Sequence, residues 1–226
     1  QIRKEVWTGN DQGEKIDVHR ALSDNDEGSH VADGILVTRS REQAQHQDFA
    51  ILYRTNAQSR AFEEQLRKRN IPYRIYGGLS FYQRKEIKDL IAYFRLTANP
   101  ADDESFKRVV NYPARGIGKT TMDRLTLAAV KHDCSLWDVL QDPFKKPEDL
   151  KGSAWGKLQD FSVMMSGFAT RLETASAFDL GHHIAQHTNL LRELHKDKTP
   201  EGVARYENIE ELLAGMKEFS DETDPA

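Results

Sequence analysis

Cysteine is almost missing from this sequence. The single Cys134 excludes an intramolecular disulfide framework and any cysteine-rich zinc centre, and it fits a reducing compartment. No apolar run approaches the roughly 20 residues that a membrane span needs. Basic surplus is also lacking: 32 lysines and arginines stand against 36 aspartates and glutamates, a net charge of -4, so any nucleic-acid site has to be local. More than the whole of that deficit sits at one end, where Glu207 to Asp224 holds seven acidic residues and one lysine and masks a neutral or basic remainder. The first residue is Gln1, and no charged-then-apolar leader follows it, which reads as an excised piece or a processed chain. What is present suits a packed, soluble chain: 226 residues, 38% apolar and 9% aromatic, enough for one large domain or two small ones.

The first third alternates strand-like and helix-like text. Lys15 to Ala21 (KIDVHRA) reads as a strand, and a helix over about 26–41 follows with Val31, Ile35 and Leu36 at helical spacing. Phe49 to Tyr53 (FAILY) is a continuous apolar run suited to a strand covered on both faces. Asn56 is positioned to cap the next helix, which carries Phe62 and Leu66 four apart and ends before Pro72. Tyr73 to Tyr76 (YRIY) is a third strand. The order predicts an α/β unit, although three strands make a thin sheet. After Gly77-Gly78 the period changes to about 3.6, and helices are expected at about 84–97, 104–111, 119–132, 154–172, 177–189 and 203–219. The boundary therefore falls near 76–80, with an all-α unit beyond it and no 20–50-residue repeat.

Few residues carry recognisable chemistry. Gly118-Lys119-Thr120 resembles the end of a phosphate-binding P-loop, but Pro113 stands where the first glycine belongs, and a helical pattern precedes it where a strand should. The same stretch reads as a hairpin between two helices, Tyr112 to Gly118 (YPARGIG). Gly116 and Gly118 permit close backbone approach, and the amides at the next helix start favour an anion. Arg115, Lys119 and Arg124 add cations, and Thr120 and Thr121 add hydroxyls. A phosphate cradle and an ordinary tight turn both fit these residues. His183 and His187 have the spacing of a metal pair, yet no glutamate or cysteine accompanies them, and a solvated helix face is the better reading, with no metal expected. Trp7, Trp137 and Trp155 read as core or interface residues, and Asp102-Asp103 as a helix start. No nucleophile, base and orienting group stand at recognisable spacing, so no catalytic residue is expected.

Four segments in fixed order carry a family resemblance: Tyr53 to Arg60 (YRTNAQSR), Tyr76 to Asp89 (YGGLSFYQRKEIKD), Asn99 to Gly118 (NPADDESFKRVVNYPARGIG) and Arg205 to Phe219 (RYENIEELLAGMKEF). Together they closely resemble UvrD/Rep/PcrA-type superfamily-one DNA helicases, motors with two RecA-like domains that use ATP and magnesium to travel 3′ to 5′ along single-stranded DNA in repair and replication. The resemblance implies that residues 1–78 are part of the RecA-like (P-loop NTPase-type) subdomain 2A. Residues 79–226 would then be most of the inserted helical subdomain 2B with its helix-hairpin-helix.

The resemblance also assigns site residues. It places Arg54 and Asn56 on single-stranded DNA; Lys88, Gly116, Gly118 and Thr121 on duplex DNA, with Ile117 packed underneath and the hairpin's own cations Arg115 and Lys119 expected beside them; and Gly77 and Gly78 at the 2A/2B hinge. A simple turn at the glycine pair remains the alternative. The phosphate-binding motor motifs would lie outside this stretch, so the chain alone is expected to bind no ATP or magnesium and to hydrolyse none. Repair or replication proteins are possible partners of the helical part, no membrane is involved, and the implied location is cytoplasmic and nucleoid-associated. A stand-alone DNA-binding or protein-interaction module is the competing reading.

Overall fold

The computed structural model describes residues 9, 13, 15–76 and 78–223. Their regular structure is helical: α1 (Asp24–Glu42), α2 (Ser59–Lys68), α3 (Lys85–Ala98), α4 (Asp103–Val109), α5 (Lys119–His132), α6 (Leu136–Gln141), α7 (Ser153–Ala169), α8 (Ala177–His187), α9 (Leu190–Lys196) and α10 (Pro200–Thr223), with short 3₁₀ turns at His46–Asp48, Phe81–Gln83 and Pro143–Lys145.

The helix starts follow capping chemistry. Ser23 accepts the Asp26 amide at 3.1 Å and caps α1, while Asp26 reaches one residue further back to accept the Leu22 amide at 3.0 Å. Asp102 accepts the Ser105 amide at 3.0 Å and opens α4. Its neighbour Asp103 has a different task, accepting the Leu136 amide of α6 at 2.8 Å and so joining two helix starts.

Two separate apolar clusters form. The smaller packs α1 on α2, with Ala32, Ile35, Leu66 and Ile71 buried and Val31, Leu36, Phe49 and Ile51 leaning on them. The larger is centred on α3, whose Ile87, Leu90, Tyr93 and Leu96 form one fully buried stripe. Around it lie Phe106 of α4 and Phe161 of α7, edge to face at 5.5 Å, with Leu125, Leu158, Ile184 and Ile209 from the later helices. Trp137 and Trp155 pack partly against this cluster; Trp7 lies outside the described residues.

The three expected strands are not present, so the α/β reading of the first third is corrected: the described residues contain no strand. The physical reason is the absence of partners. A strand satisfies its backbone only through a neighbour, and no backbone hydrogen bond joins 15–21, 49–53 and 73–76 to one another among the described residues. Phe49 and Ile51 do lean on the small cluster, but Ala50 and Leu52, which alternate with them, are exposed, Leu52 at 93%. The run is therefore covered on one face only.

The expected helices all form, within a few residues of their predicted ends. Two short ones, α6 and α9, were not anticipated. Asn56 does not cap α2 with its side chain. Gln58 is the cap residue, and its Oε1 accepts the amides of Arg54 at 2.9 Å and Thr55 at 3.1 Å, folding the preceding turn.

Candidate nucleic-acid interface

Residues 110–118 link α4 to α5, and a set of internal bonds shapes them. Asn111 accepts the amides of Arg115 at 2.9 Å and Ile117 at 3.0 Å, so one side-chain oxygen closes the turn. Gly116 has φ 71, in the left-handed region that a side chain disfavours. Ile117 points into the large core, 2% exposed. Gly118 opens α5 with φ -86 and no side-chain cap, and an added Cβ there would meet open space. The first-turn amides of α5 lack intrahelical acceptors, leaving a partial positive charge beside exposed Lys119 and Thr120 and half-buried Thr121.

Arg115 departs from the mobile cation expected of it. Its guanidinium turns inward, donating to the carbonyls of Val109 at 3.0 Å and Pro113 at 3.3 Å and to the Tyr93 hydroxyl at 2.7 Å, over the Phe161 ring. Burial pushes the Tyr93 hydroxyl up to about 12 despite the adjacent cation, and that hydroxyl donates in turn to the Tyr112 carbonyl. Arg115 braces the turn from below. Arg124 is likewise engaged, 2.9 Å from Asp149.

Two lysines that sequence reasoning passed over do meet the turn. Lys157 of α7 lies 3.3 Å from the Gly116 carbonyl, and Lys85 of α3 sits 3.8 Å over the Tyr112 ring. Lys88 is exposed elsewhere on α3. Only the folded chain brings α3 and α7 to this place, and no local motif marks either lysine.

Arg54 and Asn56 are both exposed on the turn before α2. Beneath that turn lies a buried polar junction. Arg84 donates to the Asn56 carbonyl at 2.8 Å, to Ser59 Oγ at 2.9 Å and to Asn208 Oδ1 at 2.7 Å. Arg60 pairs with Glu211 at 2.7 Å and Glu64 at 3.1 Å. Burial opposes charge on Arg60, but the two carboxylates outweigh it, and its pKa stands above the usual guanidinium value. Glu63 accepts the Phe81 amide at 2.8 Å, the Tyr73 hydroxyl at 3.2 Å and the Ser80 hydroxyl, spanning the glycine pair from both sides. Gly78 is unobstructed; Gly77 lies outside the described residues.

Other candidates carry less. The His183 and His187 rings lie 3.8 Å apart between centroids, tilted by 38°, and no group of three metal-ligating side chains occurs among the described residues. Burial, then the neighbouring His187 and Arg171, hold the His183 pKa below its ordinary 6.5. Gly118-Lys119-Thr120 follows a helix and turn, not a strand, so these residues do not fit the phosphates of ATP. No described helix is long and apolar enough to cross a membrane.

Comparison with known proteins bears on these sites. Over residues 1–226 the sequence matches the family described as UvrD-like helicase C-terminal domain. It is 38% identical over 224 residues to the ATP-dependent DNA helicase PcrA of Bacillus subtilis, 36% over 225 residues to that of Leuconostoc citreum and 34% over 223 residues to that of Staphylococcus aureus. These alignments cover 97–100% of this chain but only 30% of each relative. With a match from end to end, the chain belongs to the UvrD-like helicase C-terminal domain family.

Proposed function

We propose that this chain is the part of an ATP-dependent 3′ to 5′ DNA helicase that holds single-stranded DNA at the turn before α2 and grips duplex DNA at the α4–α5 hairpin. The end-to-end family match carries this reading. In this assignment residues 1–78 belong to a RecA-like subdomain and 79–226 to a regulatory helical subdomain, a division supported by the two separate apolar clusters. At the hairpin, the Gly118 backbone and the first-turn amides of α5 approach phosphate, Lys119 supplies charge and Thr121 a hydroxyl. Arg115 contributes by shaping the turn. Because these are backbone contacts, duplex binding is independent of base sequence. Arg54 and Asn56 offer a cation and an amide to the single strand.

ATP and magnesium serve the whole helicase, in repair or replication within the cytoplasm. This chain supplies no cradle for the nucleotide and hydrolyses none by itself. Fluorescence anisotropy with a hairpin duplex and with oligo(dT) tests the assignment. Duplex affinity on the order of 10⁻⁴–10⁻⁶ M, falling steeply with salt, is expected, with Arg54→Ala weakening oligo(dT) selectively. Salt-independent or absent binding to both probes would overturn it, as would DNA-stimulated ATP turnover abolished by Lys119→Ala.

A further inference from the structure

We propose that Arg84 is a positioning residue that sets the turn carrying Arg54 and Asn56, and that Asn208 makes this setting depend on where α10 lies. The inference rests on reading that turn as the single-strand contact. It starts from a convergence: Arg84, Asn56 and Asn208 come from three of the four family-like segments, far apart in sequence, and meet at one guanidinium.

Arg84 is 9% exposed and its three acceptors, a carbonyl, a hydroxyl and an amide oxygen, are all uncharged. A buried cation without a directly bonded carboxylate depends on the full set of acceptors, because each one lost leaves charge unsolvated. The acceptors are fixed in turn. Asn208, 3% exposed, donates its amide to Glu86 Oε1 at 2.6 Å, which leaves its oxygen facing Arg84. The Asn56 carbonyl also accepts the Ser59 hydroxyl at 2.9 Å and the Ser59 amide at 3.3 Å, so its position and the start of α2 are set together. Gln58 closes the same turn from the other side through the Arg54 and Thr55 amides.

A second tether runs parallel. Arg60 of α2 reaches Glu211, on the same helix as Asn208 and three residues further along. Displacing α10 therefore breaks Arg84–Asn208 where it leaves the start of α3, and Arg60–Glu211 where it leaves α2. The first break leaves the guanidinium under-bonded and releases its hold on the Asn56 carbonyl. Single-strand contact thereby becomes conditional on placement of the helical part, with no nucleic acid touching Arg84 itself.

The test uses the 226-residue chain and the variants Asn208→Ala and Arg84→Lys, the latter keeping charge without a fork that can span three acceptors. Amide hydrogen exchange over 54–60 is expected to quicken about tenfold in either variant, the effect of one charge-assisted hydrogen bond, while exchange over 119–132 stays unchanged. Oligo(dT) affinity is expected to fall by about the same factor, and the double variant is expected to lose no more than one single variant, since both act through one junction. Unchanged protection over 54–60 in the folded Asn208→Ala protein would overturn the coupling. If Arg54→Ala binds oligo(dT) like the parent, the single-strand reading fails while the exchange result still decides whether the junction sets the turn. If Arg54→Ala weakens binding and the two junction variants do not, the positioning role fails and the contact reading stands.

Discussion

The two apolar clusters differ in what their elements require. Around α3 every element is a helix that satisfies its own backbone, so local sequence suffices to form it and side-chain packing joins it to the rest. Among the described residues up to 76 there are two α-helices and the irregular segments 15–21, 49–53 and 73–76, and such a segment has no helical hydrogen bonds of its own to fall back on. There Ile16, Val18 and Leu52 are at least 90% exposed, whereas Phe81, Tyr93 and Phe106 are fully covered. The contrast teaches that apolar text alone does not create a core. Helical text closes on itself, and strand text waits for a neighbour.

Truncation at the centre of the larger cluster is the severest test of this contrast. Phe106→Ala should cost about 3–5 kcal/mol, because its edge-to-face partner Phe161 is also fully covered and little can collapse into the space. Leu66→Ala in the smaller cluster should cost closer to 2 kcal/mol, the low end for such truncations. Urea denaturation measures both, and the reverse order would break the comparison. Arg115→Ala should follow, losing about 1–3 kcal/mol as the Val109 and Pro113 carbonyls lose a donor. Arg115→Lys should not restore the loss, whereas a phosphate-binding role alone would leave stability untouched.

Asp102→Ala should cost about 1 kcal/mol by removing the α4 cap. Hydrogen bonds from the Ser105 amide and hydroxyl hold the Asp102 carboxyl below its ordinary 3.8. A lowered carboxyl pKa stabilises the fold above 3.8, and that contribution is lost as pH falls through the native value. The stability gap between wild type and Asp102→Ala should therefore narrow on acidification below about 4, by the same linkage. Gly118→Val is the mildest change for the fold, since its side chain enters open space at an ordinary φ. Melting temperature should hold while duplex affinity falls; equal affinity in the folded variant would remove the hairpin from the interface.

Sequence by itself determined the helical part and the family. A period of 3.6 and caps such as Asp102 are local properties, legible without knowing what lies across the molecule, whereas the burial of Ile117 beneath its turn was implied by the family resemblance. The four family-like segments were legible for the same reason, as contiguous text. Tertiary structure decided which apolar runs were covered, leaving Leu52 outward although its pattern reads as a buried strand. It also decided what the charged residues do. Arg115 reads as a surface cation and Lys157 carries no local signal, yet the first is folded under the turn and the second is brought to it from α7. Arg84, Asn56 and Asn208 became a single junction only when α2, α3 and α10 met. A side chain's type is written at one position, but whether its charge faces water, a carbonyl or a neighbour depends on residues far along the chain, and those distances exist only in the folded molecule.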